Sequence, residues 1–282
     1  MAQFPSTTAA DGIWTLKKVR RAILGDNWPA PVPYDITEIS YVQSFSLPSP
    51  IANVTGVSFK PDGTKLYTVD NGTDDIYDFD LSTSWDISTA TYADNQGGLG
   101  TTELQDLFWK PDGTSFFVVD PADDTINKFN LSTPWDISTE TASVEFDIST
   151  YAPGASSVSF KPDGTKMYAL CQVNDQVVEY TLSSAWTSGL SYSHTFSVSS
   201  QTGNPQGLFF NPNGLTLFVS DTGGNIHEYA LSTAWDLSTA SFTQTVNLAS
   251  TDARGLYFKN DGLRLYIANQ DTDAIDEYTI GY

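Results

Sequence analysis

Thirty-four Asp and Glu, two His and one Cys set the chemistry this 282-residue sequence can offer. His194 and His227 are too few for a three-His metal site, and either would have to serve alone in a Ser-His-Asp triad. His194 falls in an outer strand, away from any central pocket. His227 falls where other repeats carry Tyr77, Asn127, Val178 and Asp276, a position with no constant chemistry. Cys171 can form neither an internal disulfide nor a Cys-based zinc site, and in an apolar strand it reads as a buried small hydrophobe. No Walker loop or Gly-x-Gly-x-x-Gly follows a strand. No catalytic and no metal-ligating residue is expected, and the chain is read as non-enzymatic.

Carboxylates remain. Asp70, Asp74, Asp75, Asp120, Asp123, Asp124, Asp175, Asp221, Asp271 and Asp273 recur in equivalent loops. Two carboxylates about 5–10 Å apart could hydrolyse glycosides, and oxygen-rich loops could hold Ca²⁺. No Asp-x-Asp-x-Asp-Gly loop appears, so these tips read first as solvated turns. Ca²⁺ is the one ion they suggest, and no other cofactor is expected. The candidate ligand face comprises Asp70, Asp120, Asp221 and Asn269 at the ends of second strands, with Gln105, Gln206 and Arg254 on a polar rim at a channel mouth. The residues opening the first strands, Gly56, Asp106, Ser157, Gly207 and Gly255, read as small positions that let strands crowd an axis.

A net charge of −21 should repel phosphates, so no nucleic-acid partner is expected. No apolar run approaches the ~20 residues that span a bilayer, so no membrane insertion is expected. The first residues show neither a basic n-region nor an apolar h-region, and no secretory signal is read there.

The elements that must position these residues come from a repeat. Lys60-Pro61-Asp62-Gly63 returns as Lys110-Pro111-Asp112-Gly113 and Lys161-Pro162-Asp163-Gly164, then degenerately as Asn211-Pro212-Asn213-Gly214 and Lys259-Asn260-Asp261-Gly262. Pro-Asp-Gly presets one φ and frees the next, which makes a tight hairpin turn. Short aromatic and β-branched runs flank each copy, such as Gly56-Val57-Ser58-Phe59 and Leu66-Tyr67-Thr68-Val69. A third strand ends in an aromatic (Phe79, Phe129, Tyr180, Tyr229, Tyr278), and a fourth follows a linker. Four antiparallel strands per ~50 residues describe a propeller blade. The expected fold is an all-β, five-bladed β-propeller over 37–282. The fifth repeat lacks a fourth strand, and Tyr41–Leu47 matches fourth strands in sequence. It should therefore pair with Ile275–Ile280 and close the ring.

Leu81-Ser82-Thr83-Ser84-Trp85-Asp86-Ile87-Ser88-Thr89 also recurs, around Trp135 and Trp235, with a divergent copy at Trp186. Four tryptophans at one phase could form a ring of ligand platforms; each reads first as an anchor for its own loop against an adjacent blade, with Ser, Thr and Asp satisfying local backbone groups.

Phe59 through Gly72 resembles YVTN- and NHL-type propeller repeats, which implies the fold rather than a function. Residues 1–36 have no blade counterpart. Ile13, Leu16, Val19, Ile23 and Leu24 fall within an arc of roughly 140° on a helix, with Lys17, Lys18, Arg20 and Arg21 on the remaining face. With Trp14 and Trp28 these are the candidate partner-anchoring residues, followed by an extended Trp28–Pro33 linker. Phe4-Pro5-Ser6-Thr7, Gly12 through Arg20 and Asp26-Asn27-Trp28-Pro29 resemble the leader of tailed-bacteriophage virion proteins of the tail and appendage type. That resemblance implies a structural protein made in a host cytoplasm and located in the virion. It would be anchored to other virion proteins through residues 1–36 and would display the propeller to a host-surface glycan or receptor. A propeller lectin outside any virion, or a propeller glycoside hydrolase, is the alternative. Removing residues 1–36 should leave the ring intact, whereas removing 1–48 should not.

Overall fold

A computed structural model of the chain describes residues 31–248 and 252–281. Twenty strands form five separate four-stranded antiparallel sheets. Blade one holds β2 (Val54–Phe59), β3 (Lys65–Asp70), β4 (Asp75–Leu81) and β5 (Ala90–Gln96). Blade two holds β6 (Leu107–Trp109), β7 (Ser115–Asp120), β8 (Thr125–Leu131) and β9 (Glu140–Asp147). Blade three runs β10 (Ala155–Phe160), β11 (Lys166–Cys171), β12 (Gln176–Ser184) and β13 (Ser188–Ser197). Blade four runs β14 (Pro205–Phe210), β15 (Thr216–Asp221), β16 (Asn225–Leu231) and β17 (Ala240–Asn247). Blade five takes β18 (Ala253–Phe258), β19 (Arg264–Asn269) and β20 (Ala274–Ile280), and borrows β1 (Ile39–Ser46) as its outer strand.

The closure has the expected register, from Ile39 opposite Ile280 to Ser46 opposite Ala274. The five inner strands touch one another around the ring, β18 meeting β2 to complete it. They are buried on both faces, which is why they read as near-continuous apolar runs. The outer strands keep one face in water, and β1 and β17 show the alternation this requires.

The tryptophan loops lock the blades. Trp85, Trp135, Trp186 and Trp235 take φ of 62–67° and lie under the hairpin glycines, so that a Cβ at Gly63 would stand 2.3 Å from the Trp85 ring. Asp86, Asp136 and Asp236 cap short 3₁₀ turns by accepting from the amides of Ser88, Ser138 and Ser238. The Trp main-chain carbonyls accept from tyrosines of the preceding blade: Tyr67 to Trp135 at 2.7 Å, Tyr168 to Trp235 at 2.7 Å and Tyr266 to Trp85 at 2.8 Å.

One boundary moves. Tyr34 and Ile36, assigned by sequence to the leader, pack into blade five, where Ile36 is fully buried. Cutting before residue 37 would therefore remove part of the propeller, contrary to the expectation that the ring would not notice. The anchoring set Ile13, Trp14, Leu16, Lys17, Lys18, Val19, Arg20, Arg21, Ile23, Leu24 and Trp28 lies outside the described residues.

Candidate functional site

The inner strands build an axial cavity of about 380 Å³, open on the face that carries the Pro-Asp-Gly hairpins. Its walls are tiered, because each strand contributes the same positions. The deepest apolar tier is Val57, Leu107, Val158, Leu208 and Leu256. The next is Ser58, Phe108, Ser159, Phe209 and Tyr257, and the mouth is ringed by Pro61, Pro111, Pro162, Pro212 and Asn260.

One residue from the tier below, farther from the mouth, reaches into this space. Gly56, Ser157, Gly207 and Gly255 do not line the cavity, but Asp106 does. Neighbouring blades crowd together at this height: a Cβ on Gly207 would stand 2.5 Å from the Arg254 carbonyl oxygen, and one on Gly255 would stand 2.8 Å from that of Thr55. Asp106 thus sits at the deep end of the funnel, away from its mouth.

Asp106 is 8% exposed. Its Oδ1 accepts from the Leu107 amide at 2.8 Å, and its Oδ2 accepts from the Val158 amide at 3.3 Å and from the Ser157 hydroxyl. Ser157 Oγ in turn accepts from the Leu208 amide at 3.0 Å, so the dyad spans blades two, three and four. Burial raises the Asp106 carboxyl to about 7, and the three donors offset only part of that rise. A carboxyl that titrates near neutrality beside a cavity can accept and return a proton. Among the described residues, no other carboxylate lines this space and no Lys or Arg does.

The opposite face holds the residues the sequence put forward, and there they make the turns. Asp70 accepts from the amides of Ala52, Asn53 and Thr73. Asp120 accepts from the amides of Thr102, Ala122 and Asp123. Asp221 meets His227 Nε2 at 3.0 Å and the amides of Gly223 and Asn225. Asn269 donates to Asp276 at 2.8 Å. These side chains are 0–6% exposed and tie inter-blade connections to second strands.

The rim is a self-paired network. Arg254 donates to Gln206 at 2.8 Å and to Asp252 at 2.9 Å, and Gln105 donates to Glu103 at 3.0 Å. A backbone irregularity in β2 and β10 leaves Thr55 and Ser156 unpaired, and irregularities in β14 and β18 span Gln206 and Arg254. Among the described residues, no three His, Cys, Asp or Glu side chains are grouped to hold a metal ion.

Sequence reasoning passed over Asp106, counting it with the small axial residues by phase. The available signal was that it is the one charged side chain in a ring of Gly and Ser.

Comparison with known proteins now bears on what this scaffold does. The sequence model of the family described as "Lactonase, 7-bladed beta-propeller" matches residues 54–234. Among solved structures, the chain is similar to a putative 6-phosphogluconolactonase from Bacteroides uniformis (16% identity, TM-score 0.50, covering 80% of this chain and 67% of that one). It is also similar to the periplasmic gluconolactonase of Pseudomonas aeruginosa (16% identity, TM-score 0.49, 80% and 66%). A functionally unknown protein from Desulfotomaculum acetoxidans is similar at 10% identity (TM-score 0.53, 86% and 92%). At these identities the structural likeness shows the propeller fold alone, and the chain spans about two thirds of the length of the first two. No curated protein matches the sequence.

The family match corrects three expectations. A virion structural protein and a place in the virion rested on the leader resemblance, and the absence of enzyme activity on the scarcity of His, Cys and catalytic motifs, whereas the match covers the blades and describes lactonases. None of these similarities points to a phage protein. The family is described as seven-bladed, whereas the described residues form five blades, the fifth completed by β1. Matched over well more than half of its length, the chain belongs to the lactonase β-propeller family.

Proposed function

We propose that this protein hydrolyses lactones in the axial cavity, with Asp106 as the general base. The observation that carries the reading is one carboxyl, raised to about 7, at the deep end of an otherwise neutral funnel. Family membership supplies the reaction class.

The chemistry asks little of the protein. A lactone carbonyl is already electrophilic, and the slow part is delivering hydroxide to it at neutral pH. Ionised Asp106 takes a proton from water as the water oxygen bonds to the carbonyl carbon. The tetrahedral adduct then collapses and breaks the bond between that carbon and the ring oxygen. Asp106 returns its proton to the departing alkoxide, leaving a hydroxy acid. General acid–base catalysis of this kind contributes roughly 10²–10⁴-fold. Ser157 is a positioning residue: its hydroxyl holds Oδ2 and fixes the carboxylate plane.

The test is hydrolysis of a lactone panel by the full chain, followed as acid release with the uncatalysed background subtracted. Asp106→Asn keeps the shape and removes the base. It should lower kcat on the best substrate by about 10²-fold or more. Turnover unchanged in Asp106→Asn would sink this assignment.

A further inference from the structure

We infer that the lactone is neutral and carries an apolar chain, and is not a phosphorylated or polyhydroxylated sugar lactone. This rests on the lactonase reading above and specifies its substrate.

In the middle tier Phe108 of blade two stands between two serines. Ser58 and Ser159 come from the blades on either side of blade two, which supplies Asp106. Both residues line the cavity, and their hydroxyls make no hydrogen bond among the described residues, although the two residues are only 5% and 6% exposed. Two free donors beside a proton acceptor suit one ester group: the hydroxyls for its oxygens, Asp106 for its water. Phe209 and Tyr257, from blades four and five, complete that tier. Above it the wall is Trp, Phe and Pro up to the mouth.

A phosphate would find no cation there. The hairpin lysines nearest the mouth, Lys60, Lys110, Lys161 and Lys259, each pair at 2.7–2.9 Å with the aspartate two residues on. A polyol lactone would bring more hydroxyls than this wall can satisfy, and each one buried without a partner opposes binding. An alkyl substituent would instead lie along aromatic surface. A cavity of about 380 Å³ is in the range that holds a small ligand.

The experiment compares δ-decalactone, glucono-δ-lactone and 6-phosphoglucono-δ-lactone on the full chain. One readout is background-corrected acid release; the other is quenching of intrinsic fluorescence, since Trp109, Trp135 and Trp235 line the cavity. The expected result is a kcat/KM for δ-decalactone at least tenfold above that for either sugar lactone, with saturable quenching. Equal or better turnover of a sugar lactone overturns this inference and leaves the lactonase reading standing. Quenching by δ-decalactone without hydrolysis supports the apolar specificity and overturns the lactonase reading. Absence of both binding and turnover of δ-decalactone overturns the inference. Ser159→Phe gives blade three the side chain of Phe108 and should abolish the quenching, and Ser159→Ala should lower kcat/KM at least fivefold while the protein stays folded by circular dichroism. Quenching unchanged in the first variant together with kcat/KM unchanged in the second also overturns it.

Discussion

Tyr34 lays its ring against Gly262 and donates its amide hydrogen to the glycine carbonyl at 2.9 Å. Trp85 on Gly63, Trp135 on Gly113, Trp186 on Gly164 and Trp235 on Gly214 make the same bond at 2.9–3.1 Å. Tyr34 even shares their left-handed backbone, with φ of 63°. It is the fifth member of a ring of aromatic plugs, delivered from the other end of the chain. Velcro closure therefore involves two contributions of the N-terminal chain: the strand β1, and the plug that precedes it.

A chain beginning at residue 37 should melt several degrees lower than one beginning at residue 31. Tyr34→Ala should cost about 2–3 kcal/mol, toward the low end for removing a packed aromatic because the ring is only partly buried. Chemical denaturation measures this, and equal midpoints for the chains starting at 31 and 37 would refute the plug.

The tyrosine bonds between blades make a finer comparison. Tyr67 is the side chain that donates to the Trp135 carbonyl, at 2.7 Å. The Trp235 carbonyl receives both Tyr168 at 2.7 Å and Lys166 Nζ at 2.7 Å. Removing one of two donors leaves the acceptor satisfied, while removing a lone donor strands it. Tyr67→Phe should cost about 1–2 kcal/mol and Tyr168→Phe less than about 1 kcal/mol. The reverse order in urea melts would show that these bonds do not set the seam.

How much of this was legible follows from the kind of signal each feature leaves. The blades, their number and the β1 closure were readable because five copies of one hairpin keep phase over the chain, and β1 copies the outer-strand pattern. Tyr34 was hidden because blade five substitutes Tyr for Trp and lacks the surrounding Leu-Ser-Thr frame. Asp106 was hidden for a different reason. Its raised proton affinity comes from burial at an axis where five strands converge, and no local spacing encodes that. The conspicuous loop aspartates were the easier signal, yet Asp70, Asp120 and Asp221 spend their oxygens on nearby amides. Function was misjudged because a short leader weighed more than the blades themselves.

Asp221 should mark the acid limb of stability. Burial would raise its carboxyl, but His227 and Asn225 outweigh that and hold it at about 2. An unfolded Asp titrates near ~3.9. A carboxyl depressed in the fold stabilises fully above its unfolded value and loses that contribution as pH falls toward its folded value. The native chain should therefore lose stability between about pH 4 and 2 more steeply than Asp221→Asn. At pH 6 the variant should be weaker by about 1.5–3 kcal/mol, the usual worth of hydrogen bonds to a charged group. Parallel acid limbs for the two proteins would exclude this role.

Asp106 runs the other way. Its carboxyl is raised in the fold to about 7, so the protonated form is the one the native state favours. Its contribution to stability is complete below the unfolded value near ~3.9 and is lost as pH rises through about 7. Catalysis has the opposite need, because the base must be ionised. The native chain should lose stability from about pH 4 to about 7 and level off above that, while its kcat/KM for a lactone rises with a midpoint near 7. Asp106→Asn should flatten both curves, and at pH 8 it should melt higher than the native chain. Ser157→Ala removes one donor to Oδ2 and should move the rate midpoint, and the pH at which stability levels off, upward together, since that donor favours the charged form. Paired thermal melts and pH–rate profiles on the three proteins measure this. A rate midpoint that stays fixed while the levelling-off of stability moves would mean that some other group is the base.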